Sequence, residues 1–312
     1  MKEITHTAIV GMGALGMLFG SIIMEHLGPD SVSFVMDEER LERHKEDVYK
    51  INGKPVEFRK ISSAEAMPCD LLLVAVKYTG LAEALDVMNS SVGPETIIIS
   101  LLNGIDSEEI IGARYGEDRI IHAVAQGMDA MHFGSEVVYT KPGQLRIGIT
   151  DPAKQQILTQ VTSFFDRSGV PYAAEADIMQ RLWSKFMVNV GVNQTCMVYG
   201  VGYGKAMEHG SAAYMTLVGA MREVVLLAAA EGIALSEKDI IEYIALLKTF
   251  DPEATPSMGQ DRINRRPSEV EMFAGKILKL AKKHQIPVPA NEFLYRRVHE
   301  IEKEYVNQTQ NF

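Results

Sequence analysis

Three glycines fall within six residues, Gly11, Gly13 and Gly16, directly after the apolar run "HTAIV" and directly before "MLFGSIIMEHLG". No other stretch constrains the fold as much. A strand that ends in such a turn and restarts as a helix must bring its backbone close to something that a side chain would obstruct. In the dinucleotide fingerprint the first glycine permits the tight turn. The second lets backbone approach a pyrophosphate, and the third lets helix and strand pack closely. The next apolar run, "SVSFVMD", ends in an acid, Asp37, about 20 residues on, where the fingerprint places a partner for a ribose hydroxyl.

The rest of the first half keeps the same rhythm. "CDLLLVAVK" and "TIIISLLNG" are continuous apolar runs without alternation, the pattern of parallel strands covered on both faces. They end in Lys77 and in Asn103-Gly104, at the strand ends where an open α/β sheet binds its ligands. "EVVYT" and "QLRIGI" flank Lys141-Pro142-Gly143 and read as a hairpin closing this half. Beyond Gly169-Val170-Pro171 the texture changes to long helical patterns with no clear strand. We therefore expect a Rossmann-type parallel-sheet domain over residues 1–176 and an all-α domain over 177–312. The charged tail "RRVHEIEKEYVNQTQNF" reads as a terminal helix with a frayed end.

Composition excludes several classes. With 312 residues and 46% hydrophobic content the chain can bury a sizeable core. A formal charge of −10 argues against a nucleic-acid partner. Two cysteines, Cys69 and Cys196, offer neither a disulfide framework nor metal-ligand spacing, so we expect no metal site and a reducing cytoplasm. The N-terminus enters a strand without the basic and apolar regions of a signal peptide. Phe186 to Gly204 carries no charge, yet its amides and four glycines make it too polar for a membrane span, and a buried helix is expected.

On that helix Lys185, Asn189 and Asn193 recur at i, i+4 and i+8, one polar stripe on an otherwise apolar cylinder. Burying an ammonium and two amides costs several kcal/mol without partners, so the stripe is expected to face a polar cleft. A lysine there suits carboxylate binding or protonation of an alkoxide, the general acid's part in carbonyl reduction. Further on, Ser257 follows a proline as a helix start, and Ser268 with Glu271 has capping-box spacing. Glu269 fits a first-turn charge on the helix dipole.

With these residues quoted, the chain resembles the ketopantoate reductases over nearly its whole length. "GMGALG", "LLLVAVK" and "LLNG" resemble the family's cofactor half, and "LWSKFMVNVGVN" its catalytic helix. "SMGQDRINRRPSEVEMFAG" resembles its third motif, with Ser257 twelve residues before Glu269 and Gly275 six after. The resemblance implies reduction of 2-dehydropantoate to pantoate and a helical domain like that of 6-phosphogluconate dehydrogenases. It implies Lys185 as general acid and Glu269 on the substrate hydroxyl. Asn103, Asn189, Asn193 and Ser257 would hold the substrate's carboxylate, carbonyl and hydroxyl groups. Gly11, Gly13, Ala14, Leu15, Gly16, Asp37, Lys77 and Asn103 are the candidate cofactor contacts. The family generally uses NADPH and often carries an arginine where this chain has Asp37, which favours NADH; Arg40 and Arg43 follow on the same segment. Two alternatives stand beside this reading: reduction of another branched 2-oxo acid, and a nucleotide-sensing protein without turnover. The expected partners are a small 2-oxo acid and a second copy in a homodimer, with neither nucleic acid nor membrane.

Overall fold

The structure is a computed structural model that describes residues 2–309. Its contacts divide the chain into two compact units between Arg181 and Leu182.

The first unit contains strands β1 (Thr7–Val10), β2 (Val32–Met36), β3 (Tyr49–Ile51), β4 (Lys54–Val56), β5 (Lys60–Ser62), β6 (Leu71–Val74), β7 (Ile97–Ser100), β8 (Ile120–Met128), β9 (Met131–Phe133), β10 (Glu136–Val138), β11 (Pro142–Gly148) and β12 (Tyr172–Ala174). Its helices are α1 (Ala14–Leu27), α2 (Glu38–Arg43), α3 (Leu81–Val87), α4 (Ser107–Tyr115) and α5 (Gln155–Ser168). Eight strands form one sheet in the order β12-β11-β8-β7-β6-β1-β2-β5, parallel throughout except between β8 and β11. The missing alternation in "LLLV" now has its cause: Leu71 and Leu73 enter the core shared with α1 and α5, while Leu72 and Val74 enter the opposite core with α3 and α4. Both faces are dry, so every position along the strand is apolar.

A second sheet, in the order β4-β3-β10-β9, covers α1 from its other side, with Tyr49, Ile51 and Val137 in the same core as Met17, Leu18 and Ile22. That enclosure explains why α1 is apolar around most of its circumference.

The expected hairpin at Lys141-Pro142-Gly143 does not form. The segment before it, β10, pairs with β9 and β3, whereas β11 pairs with β8. The Asp129 carboxylate accepts the N–H groups of Thr140 and Lys141 at 2.9 and 2.7 Å, so this stretch links two sheets rather than reversing one strand. The Thr140 hydroxyl, which also donates to Asp129, and these N–H groups hold the Asp129 carboxyl down at about 2.

The second unit is helical. Its elements are α6 (Ile178–Tyr199, whose first turn belongs to the first unit), α7 (Tyr203–Ala206), α8 (Ala212–Ala230), α9 (Glu237–Leu247), α10 (Ser257–Ile263), a π turn (Glu271–Gly275), α11 (Lys276–His284) and α12 (Pro289–Thr309). Leu182, Trp183, Phe186, Met187 and Val190 bury the apolar sides of α6. Helix α8 is long and apolar enough to cross a membrane, but half of its apolar window is buried inside the protein. On it, Glu223 accepts the N–H groups of Ala290 and Asn291 at 2.7 and 2.9 Å and so caps the start of α12. The terminal helix reaches Thr309, and the frayed end expected beyond it lies outside the described residues.

Candidate active site

In the first unit the register sets Val10 beside Val35 and Val74, and Val74 beside Ser100. Gly11, Asp37, Lys77 and Asn103 therefore leave the sheet at one common edge, the carboxyl ends of four parallel strands. The three glycines are required for different reasons. Gly11 sits at φ +109°, and a Cβ there falls 2.5 Å from the Ala75 carbonyl oxygen. A Cβ on Gly16 falls 2.1 Å from the Gly11 carbonyl oxygen. Gly13, the N-cap of α1, has ordinary φ of −84°, and a Cβ on it meets only Ala75 O at 3.8 Å. The protein demands the first and third glycines. It leaves the space over the second open at the start of a helix, where Ala14 and Leu15 begin a turn whose N–H groups lack intrahelical acceptors. Such a cradle fits a pyrophosphate.

Asp37 is the N-cap of α2, its Oδ1 accepting the Arg40 N–H at 2.7 Å. Arg43 pairs with Glu39 at 2.5 Å on the exposed side of that helix. Lys77 is exposed, and Asn103 is half-buried. The loops that carry them are joined by a contact the sequence did not disclose, Tyr78 Oη donating to Asp106 Oδ2 at 3.0 Å. Close by, Ser107 donates to Glu108 at 2.7 Å, and burial pushes the Glu108 carboxyl up to about 7. Nothing in the sequence marks Glu108, since an acid in a first turn ordinarily reads as a dipole partner.

In the second unit Lys185 and Asn189 are half-buried and Asn193 is buried on α6. Burial lowers the Lys185 ammonium to about 8, and the Glu269 carboxylate pulls it back upward. The two groups named for catalysis and recognition are thus electrostatically coupled. Ser257 is exposed as the first residue of α10. That helix is tied to α6 by Arg262, which donates to the carbonyls of Met197 and, at 2.8 Å, Val198. The Ser268–Glu271 capping box does not form. Glu302 takes the Ser268 N–H at 2.7 Å, while Glu271 Oε1 accepts from Tyr295 Oη at 2.8 Å and lies 3.1 Å from His299 Nε2. The physical reason is the π turn, which starts at Glu271 and leaves no regular first turn for a box to close.

A parallel sheet whose glycine loop fits a pyrophosphate, and a helical unit with a lysine lowered by burial to about 8 and coupled to a carboxylate, define a nicotinamide-dependent oxidoreductase of Rossmann type. Residues 7–152 match the family described as "Ketopantoate reductase PanE/ApbA", and residues 177–302 match "Ketopantoate reductase PanE/ApbA C terminal". The chain belongs to the ketopantoate reductase family. It is 25% identical over 298 residues to a 2-dehydropantoate 2-reductase of Streptococcus pyogenes, covering 93% of this chain and 96% of that one. Among solved structures, D-mandelate dehydrogenase in complex with NADH is similar at 25% identity and TM-score 0.85, covering 96% of this chain and 99% of that one. A dimeric ketopantoate reductase from Staphylococcus aureus shares the fold at 20% identity and TM-score 0.78, with the same coverage.

Proposed function

We propose that this protein reduces the ketone of 2-dehydropantoate to the alcohol of pantoate, a step toward pantothenate. The observation that carries the reading is Lys185, an ammonium lowered to about 8 on a stripe with Asn189 and Asn193 and coupled to Glu269. A nicotinamide cofactor, when bound, supplies the hydride from C4. The protein's own residues supply the rest. Lys185 Nζ hydrogen-bonds the ketone oxygen and gives up its proton as negative charge develops there, so hydride and proton together make the alcohol. Asn103, Asn189, Asn193 and Ser257 hold the carboxylate and carbonyl groups, and Glu269 accepts a hydrogen bond from the substrate's hydroxyl. Gly13 leaves room for the pyrophosphate, and Lys77 supplies positive charge near cofactor and substrate.

Asp37 supports use of NADH: Oδ1 is committed to capping α2, leaving Oδ2 toward a ribose hydroxyl and a negative charge where NADPH carries a phosphate. This favours a second reading, an NADH-linked reductase of another 2-oxo acid, and the similarity to D-mandelate dehydrogenase supports it. Initial rates with 2-dehydropantoate, 2-oxoisovalerate and phenylglyoxylate, each with NADH and NADPH, separate the two. The highest kcat/KM on 2-dehydropantoate supports the first reading, and a higher value on either rival overturns it. We also place the enzyme in the cytoplasm as a homodimer, a reading supported by its two free buried cysteines and by the dimeric relative, and testable by light scattering.

A further inference from the structure

The segment that follows Glu269 departs from α-helical geometry. The Gly275 N–H reaches back five residues to the Val270 carbonyl at 3.0 Å, while the N–H groups of Met272 and Phe273 both end on the Glu269 carbonyl, at 3.0 and 3.2 Å. A π turn has poorer hydrogen-bond geometry than the α-helix it interrupts, so it persists where outside contacts hold it. Here the contact comes from α6. Gln194 Oε1 accepts the Ala274 N–H at 3.2 Å, and Gln194 Nε2 donates to the Val190 carbonyl at 2.8 Å and reaches Asn291 Oδ1 at 3.5 Å.

Gln194 is completely buried, one residue beyond Asn193 and therefore rotated about 100° off the Lys185 stripe. It does not share that face. Its anchor is secured in turn, because Asn291 Nδ2 donates to Glu223 Oε2 at 2.7 Å and to the Ala220 carbonyl at 3.3 Å. Phe186 and Phe273, both buried, pack their rings 6.3 Å apart at the same contact between α6 and the π turn.

We propose that Gln194 is a positioning residue for substrate recognition: by holding the Ala274 N–H it fixes the π register and so sets how Glu269 is presented to the α6 stripe. The proposal rests on the reading of Glu269 as the acceptor for the substrate's hydroxyl. Without the Gln194 acceptor, a buried N–H is left to find a partner within its own segment. Tightening to an α-turn satisfies it, and that change turns the residues before it by about 100°.

The test compares kcat/KM for 2-dehydropantoate and 2-oxoisovalerate, which lacks the hydroxyl, in the full-length wild type and in Gln194→Leu, Gln194→Glu and Glu269→Ala, with cofactor affinity and melting temperature measured alongside. Gln194→Leu is expected to lower the preference for 2-dehydropantoate at least tenfold through its KM. Turnover of 2-oxoisovalerate and cofactor affinity should stay within about threefold. Adding Glu269→Ala to it should lose little more. Gln194→Glu, held neutral by burial, keeps the acceptor and is expected to restore the preference. Should Gln194→Leu fail to fold, Gln194→Met carries the same comparison. Preference retained in Gln194→Leu but lost in Glu269→Ala overturns the assignment, as does an equal slowing of both substrates. An unchanged preference in Glu269→Ala overturns the underlying reading of Glu269 and the assignment with it.

Discussion

Gly13→Ala and Gly16→Ala place the same methyl group three residues apart at one helix start, yet the structure assigns them opposite outcomes. A Cβ on Gly16 lies 2.1 Å from the Gly11 carbonyl oxygen, well inside the 3.0 Å that real Cβ contacts respect. The neighbour is backbone, so α1 and the turn must separate by about 1 Å, an overpacking cost of roughly 1–3 kcal/mol. A Cβ on Gly13 lies 3.8 Å from its nearest atom. Alanine is a poorer N-cap than glycine by roughly 0.5–1 kcal/mol, and reduced freedom of the unfolded chain returns roughly 0.4–1 kcal/mol. The two nearly cancel. We therefore expect Gly16→Ala to melt several degrees below wild type and Gly13→Ala within a degree or two of it. Fluorescence titration with NADH and NADPH should show the reverse order of damage to binding among folded variants, with Gly13→Ala and especially Gly13→Val at least about a hundredfold weaker, close to 3 kcal/mol. Wild-type cofactor affinity in Gly13→Val, or a Gly13→Ala melting temperature as low as that of Gly16→Ala, refutes the assignment of that space to the cofactor.

Three more outcomes are expected. On the general-acid role proposed for Lys185, loss of its proton as pH rises through about 8 should lower kcat/KM tenfold per pH unit above that point. Glu269→Gln, which removes the upward pull, should move the limb to lower pH, and a flat profile to pH 9.5 counts against a general-acid role. Lys185→Ala should cost about 10²–10⁴-fold in turnover. Because its pKa is lower folded than the ordinary 10.5, the unfolded chain binds more protons between about 8 and 10.5 and stability rises with pH across that window, so Lys185→Met should melt above wild type at pH 7. Glu269→Ala should weaken 2-dehydropantoate by roughly 1–3 kcal/mol while sparing 2-oxoisovalerate, and equal losses on both argue for a dipole role. Asp37→Arg should shift the kcat/KM ratio toward NADPH; a wild-type preference for NADPH above about a hundredfold shows that the neighbouring arginines override the carboxylate.

What the sequence disclosed were features whose cause is local. The glycine loop, the buried parallel strands and the Lys185 stripe each follow from a period or a steric demand within a few residues. The four-stranded sheet stayed hidden because its strands are three residues long, too short to establish a period, and one of them contains Pro55. The Lys141-Pro142-Gly143 turn was readable, but its strand partners were set by distant β8 and β3. Ser268 and Glu271 have capping-box spacing and yet bond to α12, a competition that no local pattern encodes. Gln194 looked like one more amide beside Asn193. Only the fold reveals that it faces the π turn, while Lys185 and Asn189 lie along another side of the helix.

Enclosure of α1 between two sheets bears on how a nucleotide is received. The glycine loop proposed to receive the pyrophosphate is mounted on a helix clamped from opposite sides, with the turn close against the Ala75 carbonyl. Its shape is therefore set by packing that forms on folding, which keeps low the ordering cost that binding must meet. The arriving cofactor meets a finished mould, so the speed of its capture is left to diffusion and charge.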